Sequence, residues 1–189
     1  MADAKLFTDV LPEGACTYAH RGTQRNQEAR GRWIAAPAHT DERNRGAHGI
    51  GMNVTVLNRG AERLRHIDEV YRGTVTTLPL TSANTEHALA QADMVIGALL
   101  VPGGRTPVLI RRADLKKREP GAVIVDVSVD QGGCAETTVP RTHDDPVYTI
   151  DGVQHYTVAN MPGAYPRTST FALTNATLPW VLRLAALGA

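Results

Sequence analysis

Short apolar runs that alternate with helical periods predict an α/β fold built on a parallel sheet. Three observations carry this. "DMVIGALL" (93–100) and "GAVIVDVSV" (121–129) are apolar without alternation, as strands covered on both faces must be. Stretches of helical period, such as "AERLRHIDEVY" (61–71), fall between the extended runs. Small or polar residues follow the runs: Asn58, the "GALLVPGG" turn, and "DVSVDQGG".

Taken in order, residues 12–47 are peculiar, because Ile34 is the only Ile, Leu, Val, Met or Phe among them. Such a segment has little apolar surface to offset its ordering entropy. It reads as irregular or disordered, with a short helix near "NQEARGRW". The organised part begins afterwards. "NVTVL" (53–57) is a β-rich run, and in 61–71 Leu64, Ile67 and Tyr71 recur at helical spacing. "TVTTL" (74–78) is a second short strand, and "NTEHALAQA" (84–92) a helix capped by Asn84 or Thr85. The apolar strand 93–100 follows, then a helical turn or two in "RRADLKKR" (111–118), read as a solvated basic face, then the strand 121–129. "VYTI" and "QHYTVA" flank the hairpin signal Asp151-Gly152. The tail 166–188 is helical, with Pro179 expected to kink or divide it.

The bulk composition excludes several classes. At 189 residues the chain is one domain, or one with an appendage. A net charge of +1 gives no electrostatic reason to expect nucleic acid or an anionic membrane as partner. No apolar run reaches a membrane span, and the N-terminus lacks the order of a signal peptide, so a cytoplasmic location is expected. Cys16 and Cys134 have neither metal nor redox-motif spacing, and no HExxH, Walker or GxSxG motif is present, so no metal site is expected.

An alternating pattern of this kind is half of a doubly wound nucleotide-binding sheet, in which ligands lie beyond the carboxyl ends of the strands. Asn58 ends one strand, where it can meet ribose hydroxyls or simply serve a turn. "LLVPGG" can lie against a flat ring or be a plain exit turn. Asp130 can orient water or a substrate amine and trade a proton, or cap the turn "DQGG". "VANMPG" (158–163) is a third small-residue exit, with Asn160 at its tip.

From about His48 to Ala186 the chain resembles alanine dehydrogenase, through "GIGMNVTVLNR", "ADMVIGALLVPG", "PGAVIVDVSVDQGGCAET" and "VANMPGAYPRTSTFALTNATLPWVL". The transhydrogenase subunit shares the "DQGG" region more loosely. The resemblance implies an incomplete Rossmann-type doubly wound parallel sheet, residues 48–189 being a partial NAD-binding domain and 1–47 lying outside it. It implies NAD as cofactor, L-alanine and pyruvate as substrates, and homo-oligomers. It implies Asp130 as proton donor and acceptor. It places Asn58, Arg63, Leu99, Leu100, Val127, Ser128, Val129, Asp130, Val158, Ala159, Asn160 and Met161 against the cofactor.

Departures from the family pattern are equally plain. Nothing in residues 1–47 matches the family's substrate domain, with its catalytic histidine and carboxylate-binding lysine and arginine. The region that should carry G-x-G-x-x-G reads "IAAPAHTDERNRG". Asn58 replaces the family's ribose-binding aspartate, Leu80 a serine near the adenine, and Val139 a cofactor-binding arginine of some members. The expectation is a truncated or frame-disrupted alanine dehydrogenase with little or no activity alone. The alternatives are a non-catalytic nucleotide-binding or subunit-associating remnant and a transhydrogenase-like NAD module.

Overall fold

The computed structural model describes residues 32–35, 52–101 and 103–188. Seven strands form one sheet in the order β3-β2-β1-β4-β5-β7-β6. They are β1 (Arg32–Ala35), β2 (Asn53–Asn58), β3 (Thr76–Pro79), β4 (Met94–Gly97), β5 (Val123–Asp126), β6 (Val147–Ile150) and β7 (Val153–Tyr156). All neighbours run parallel except β6, which pairs antiparallel with β7. The outward order from β1 to β3 on one side and from β1 to β5 on the other is that of a doubly wound sheet.

Strand β1 is an interior strand, hydrogen-bonded to β2 on one side and to β4 on the other, with Trp33 opposite Val54 and Met94. This corrects the reading of 12–47 as irregular, for residues 32–35. "RWIA" has no strand signal of its own, and two flanking strands supply its backbone partners. The helix expected near "NQEARGRW" does not extend into residues 32 and 33, and its remainder lies outside the described residues.

The helices are α1 (Ala61–Tyr71), α2 (Ser82–Gln91), α3 (Arg112–Leu115) and, last in the chain, α4 (Pro166–Leu187). In α1, Ile67 and Tyr71 are buried and Leu64 is half-buried, the face its spacing predicts. Thr81, not Asn84 or Thr85, caps α2: its hydroxyl accepts from the Asn84 N–H at 3.2 Å. The core gathers Leu57, Leu89, Val95, Ile110, Leu115 and Ile124 around β2, β4 and β5. Asp151 (φ 50°) and Gly152 (φ 82°) make the hairpin turn that the Asp-Gly pair predicts. Arg118 is not part of a solvated face. It is 7% exposed and donates to the carbonyls of Ala92 and Val123, and burial lowers its pKa to about 10.

Contacts divide the chain into two units, Met1–Ala159 and Asn160–Ala189. The second unit, taken alone, is a 3-10 turn (Met161–Ala164) leading into α4, with the Ser169 hydroxyl donating to the Pro162 carbonyl at 2.7 Å. Pro179 lies inside α4 without dividing it. Among the described residues no helix is long and apolar enough to cross a membrane.

Candidate functional site at the carboxyl edge of the sheet

Parallel strands β2, β4 and β5 all end on the same edge, and each exit is built by side chain-to-backbone bonds. At the end of β2, Asn58 is half-exposed and its side-chain oxygen accepts from the Gly60 N–H at 2.9 Å. The same bond shapes the turn into α1. Its main-chain carbonyl accepts from the Leu80 N–H at 2.9 Å, tying the exit of β3 to that of β2. Arg63, half-buried, sits in the first turn of α1.

The exits of β4 and β5 are stapled together. Strand β4 stops at Gly97, and Ala98 and Leu99 leave the ladder while still buried. The Ser128 hydroxyl accepts from the Leu99 N–H at 2.8 Å and donates to the Leu99 carbonyl at 2.9 Å. Three residues after Ser128, the Gln131 side chain repeats the pattern at Val101: its oxygen accepts from the Val101 N–H and its NH2 donates to the Val101 carbonyl, both at 3.3 Å. The Gln131 main-chain carbonyl accepts from the Thr106 N–H at 2.9 Å. The loop after β4 is thus read residue by residue by the loop after β5.

Strand β5 ends on Asp126, not on Asp130 as the apolar run 121–129 suggests. The chain leaves the ladder because Asp126 turns its carboxylate inward and collects backbone donors from the next turns. Its oxygens accept from Ser128 N–H (3.0 Å), Cys134 N–H (2.7 Å), Ala135 N–H (3.4 Å) and the Thr138 hydroxyl (2.5 Å). Val129–Gln131 form a 3-10 turn, and Gly132 and Gly133 then reverse the chain at φ 98° and 78°. A Cβ on Gly133 would lie 2.8 Å from the Asp126 carboxylate and 2.5 Å from Thr138. "DQGG" is therefore a turn folded back onto a buried acid.

The predicted site residues separate into distinct environments. Asp130 is exposed at the crest of the 3-10 turn, and Leu100, 52% exposed, lies between the two stapled residues Leu99 and Val101. Val127 is half-buried. Leu99, Val129 and Val158 are buried as whole residues, so none of the three presents open surface at this edge. Ser128 is buried as a clamp. The Ala159 N–H donates to the Arg141 carbonyl at 3.1 Å, beside the Arg141–Val158 bridge. Asn160 is left-handed (φ 53°) and Met161 opens the 3-10 turn, both in the second unit.

Sequence reasoning missed Asp126 and Gln131. The available signal was an acid at the fourth position of an otherwise apolar strand, since a charge is buried only where donors surround it. Behind the site, the Cys134 thiol is buried against Gly97. Burial first, and then the neighbouring Asp126 charge, push this thiol well above its ordinary range, so it is no nucleophile. His155 is also fully buried. Its Nδ1 faces the Val153 carbonyl at 3.0 Å, an acceptor only, so Nδ1 carries the proton and Nε2 accepts from the Thr137 hydroxyl at 2.8 Å. Among the described residues no group of His, Cys, Asp or Glu is placed to hold a metal.

The profile of the "Alanine dehydrogenase/PNT, C-terminal domain" matches residues 44–189. The alanine dehydrogenase of Halomonas elongata is 53% identical over 139 residues, 74% of this chain and 38% of that protein. The alanine dehydrogenase of Bacillus subtilis is 48% identical over 144 residues, 76% of this chain and 38% of that protein. Among solved structures, an L-alanine dehydrogenase superposes with a TM-score of 0.77 at 39% identity, covering 92% of this chain and 52% of that one. The transhydrogenase of Sinorhizobium meliloti shares the fold, with a TM-score of 0.65 at 19% identity over 90% of this chain and 55% of that one. The chain spans less than half the length of the curated relatives it matches. A profile match over residues 44–189, most of the chain, establishes that the chain belongs to the alanine dehydrogenase/PNT C-terminal domain family.

Proposed function

We propose that this chain is the dinucleotide-binding half of an NAD-dependent L-alanine dehydrogenase, with Asp130 as its acid–base group. The observation that supports this best is an exposed carboxylate, Asp130, on a turn whose position is pinned to the exit of the neighbouring strand by Ser128 and Gln131. A preorganised carboxylate beside a strand exit is what proton transfer in a sheet-edge site requires.

The residues at this edge suit a dinucleotide. Leu100 and Val127 offer apolar surface to a ring, the backbone of Leu99 is held rigid by Ser128, and Asn58 offers its amide to ribose hydroxyls. Arg63 stands in the first turn of α1, just after that exit. The bound nicotinamide would supply the hydride acceptor. Asp130 would take or return a proton at the substrate nitrogen or at an attacking water. The turn after β1, where a pyrophosphate would rest, lies outside the described residues.

Substrate anchoring falls to groups beyond residues 44–189, the span of the family match. Orientation of a substrate supplies roughly 7–11 kcal/mol of a barrier. The chain alone is therefore expected to show no turnover at the ~10 per second typical of enzymes. The test follows NADH formation from L-alanine and NAD, with the chain alone and with a substrate-domain polypeptide from a relative added. Full turnover by the chain alone would refute this division of labour.

A further inference from the structure

A fully buried acid stands behind the exposed one. Asp126 has no surface exposure, and every partner of its carboxylate is a donor. These donors come from residues 128, 134, 135 and 138, so they bracket the turn that carries Asp130. The space around the carboxylate is closed: a Cβ on Gly97 would lie 3.5 Å from one oxygen, and a Cβ on Gly133 2.8 Å from the other. Asp126 also fixes the Ser128 backbone, and Ser128 fixes both main-chain atoms of Leu99. The bonds run from one carboxylate to both strand exits.

We propose that Asp126 is a positioning residue, whose buried carboxylate sets the Asp130 turn and, through Ser128, the Leu99 backbone against a bound dinucleotide. This rests on the reading of the carboxyl edge as the nucleotide site. The competing role is purely architectural, an acid that holds the whole sheet together. The geometry favours the local role, because all four donors belong to the loop after β5 and none to another strand. Exchanging the carboxylate for an amide turns an acceptor into an NH2 group facing donors. The damage should therefore stay within residues 127–138.

The experiment uses the full chain with three variants: Asp126→Asn, Thr138→Val and Asp130→Ala. Amide hydrogen exchange is read at Ser128, Cys134 and Ala135, and at Val56 and Val95 in the core strands. NADH affinity is read by fluorescence titration. Asp126→Asn is expected to speed exchange at the three turn amides by tenfold or more, leave Val56 and Val95 unchanged, and weaken NADH binding at least tenfold. Thr138→Val, which removes one donor, should do the same to a smaller extent with the fold intact. Asp130→Ala, although exposed and nearer any ligand, should change NADH affinity less than Asp126→Asn does. Equal acceleration at turn and core amides in both Asp126→Asn and Thr138→Val would overturn the proposal in favour of an architectural acid. A loosened turn with unchanged NADH affinity would overturn it too. Absence of NADH binding by the unaltered chain would refute the nucleotide site itself and the proposal with it, an outcome visible before any variant is compared.

Discussion

Some residues in this molecule have their identity dictated by a neighbour a few ångströms away. Gly97 is one: a Cβ there would meet the Cys134 sulfur at 1.9 Å. Gly97→Ala should destabilise by about 1–3 kcal/mol, as overpacking does, and the loss should shrink when combined with Cys134→Ala. Chemical denaturation of the single and double variants checks this, and additive losses would show that the two positions are not coupled. Gly133→Ala meets both a left-handed backbone and the Asp126 carboxylate, and should lose about 1–3 kcal/mol or more. His155 gives a pH dependence. Burial, and then the Arg118 charge, lower its pKa below the ordinary 6.5, so the folded chain holds it neutral. The unfolded chain takes up that proton as pH falls through 6.5, so the unfolded state binds more protons and stability declines on the acid side. Urea midpoints measured from pH 8 to about 5 should fall on acidification, and His155→Gln should flatten that slope. A slope unchanged in the variant would remove His155 from the account. At the β2 exit, Asn58→Asp keeps an oxygen for the Gly60 N–H and adds a charge. It should strengthen NAD binding and weaken NADP binding, since an acid there bonds the ribose and repels a 2′-phosphate. Calorimetry showing both affinities moving together would place Asn58 away from the ribose.

At the scale of elements, the sequence was readable wherever periodicity was local. The amphipathic stripe of α1, the apolar cores of β4 and β5, and the Asp151-Gly152 turn all stand where their patterns predict them. Strand ends were not readable in the same way. β4 yields at Gly97 and β5 at Asp126, although the apolar runs continue to Leu100 and Val129. Hydrophobicity reports burial, and Leu99 and Val129 are indeed buried, but the ladder stops where side chains capture the backbone instead. Helix α2 begins two residues early for a similar reason, its Thr81 cap being chosen by the chain geometry leaving β3. Thr81→Ala should therefore lower stability by about 1 kcal/mol, the usual loss on removing such a cap, measurable as a shift in the denaturation midpoint.

At the scale of the whole molecule, the parallel sheet and its working edge were legible from the alternation of apolar strands and helices. The interior strand β1 was not. Residues 32–35 lie ahead of the family match at 44, and their sequence carries no alternation, yet they complete the sheet between β2 and β4. Hydrogen bonding on both sides explains what propensity alone does not. The central claim is that a nicotinamide dinucleotide lies along the carboxyl edge. Mapping NADH binding by backbone amide shifts in the isotope-labelled chain tests this most directly. The account predicts saturable shifts at Asn58, Leu99 to Val101 and Val127 to Asp130. Saturable shifts confined to the opposite edge, around Asp93 and Gly121, or no shifts at all, would contradict it.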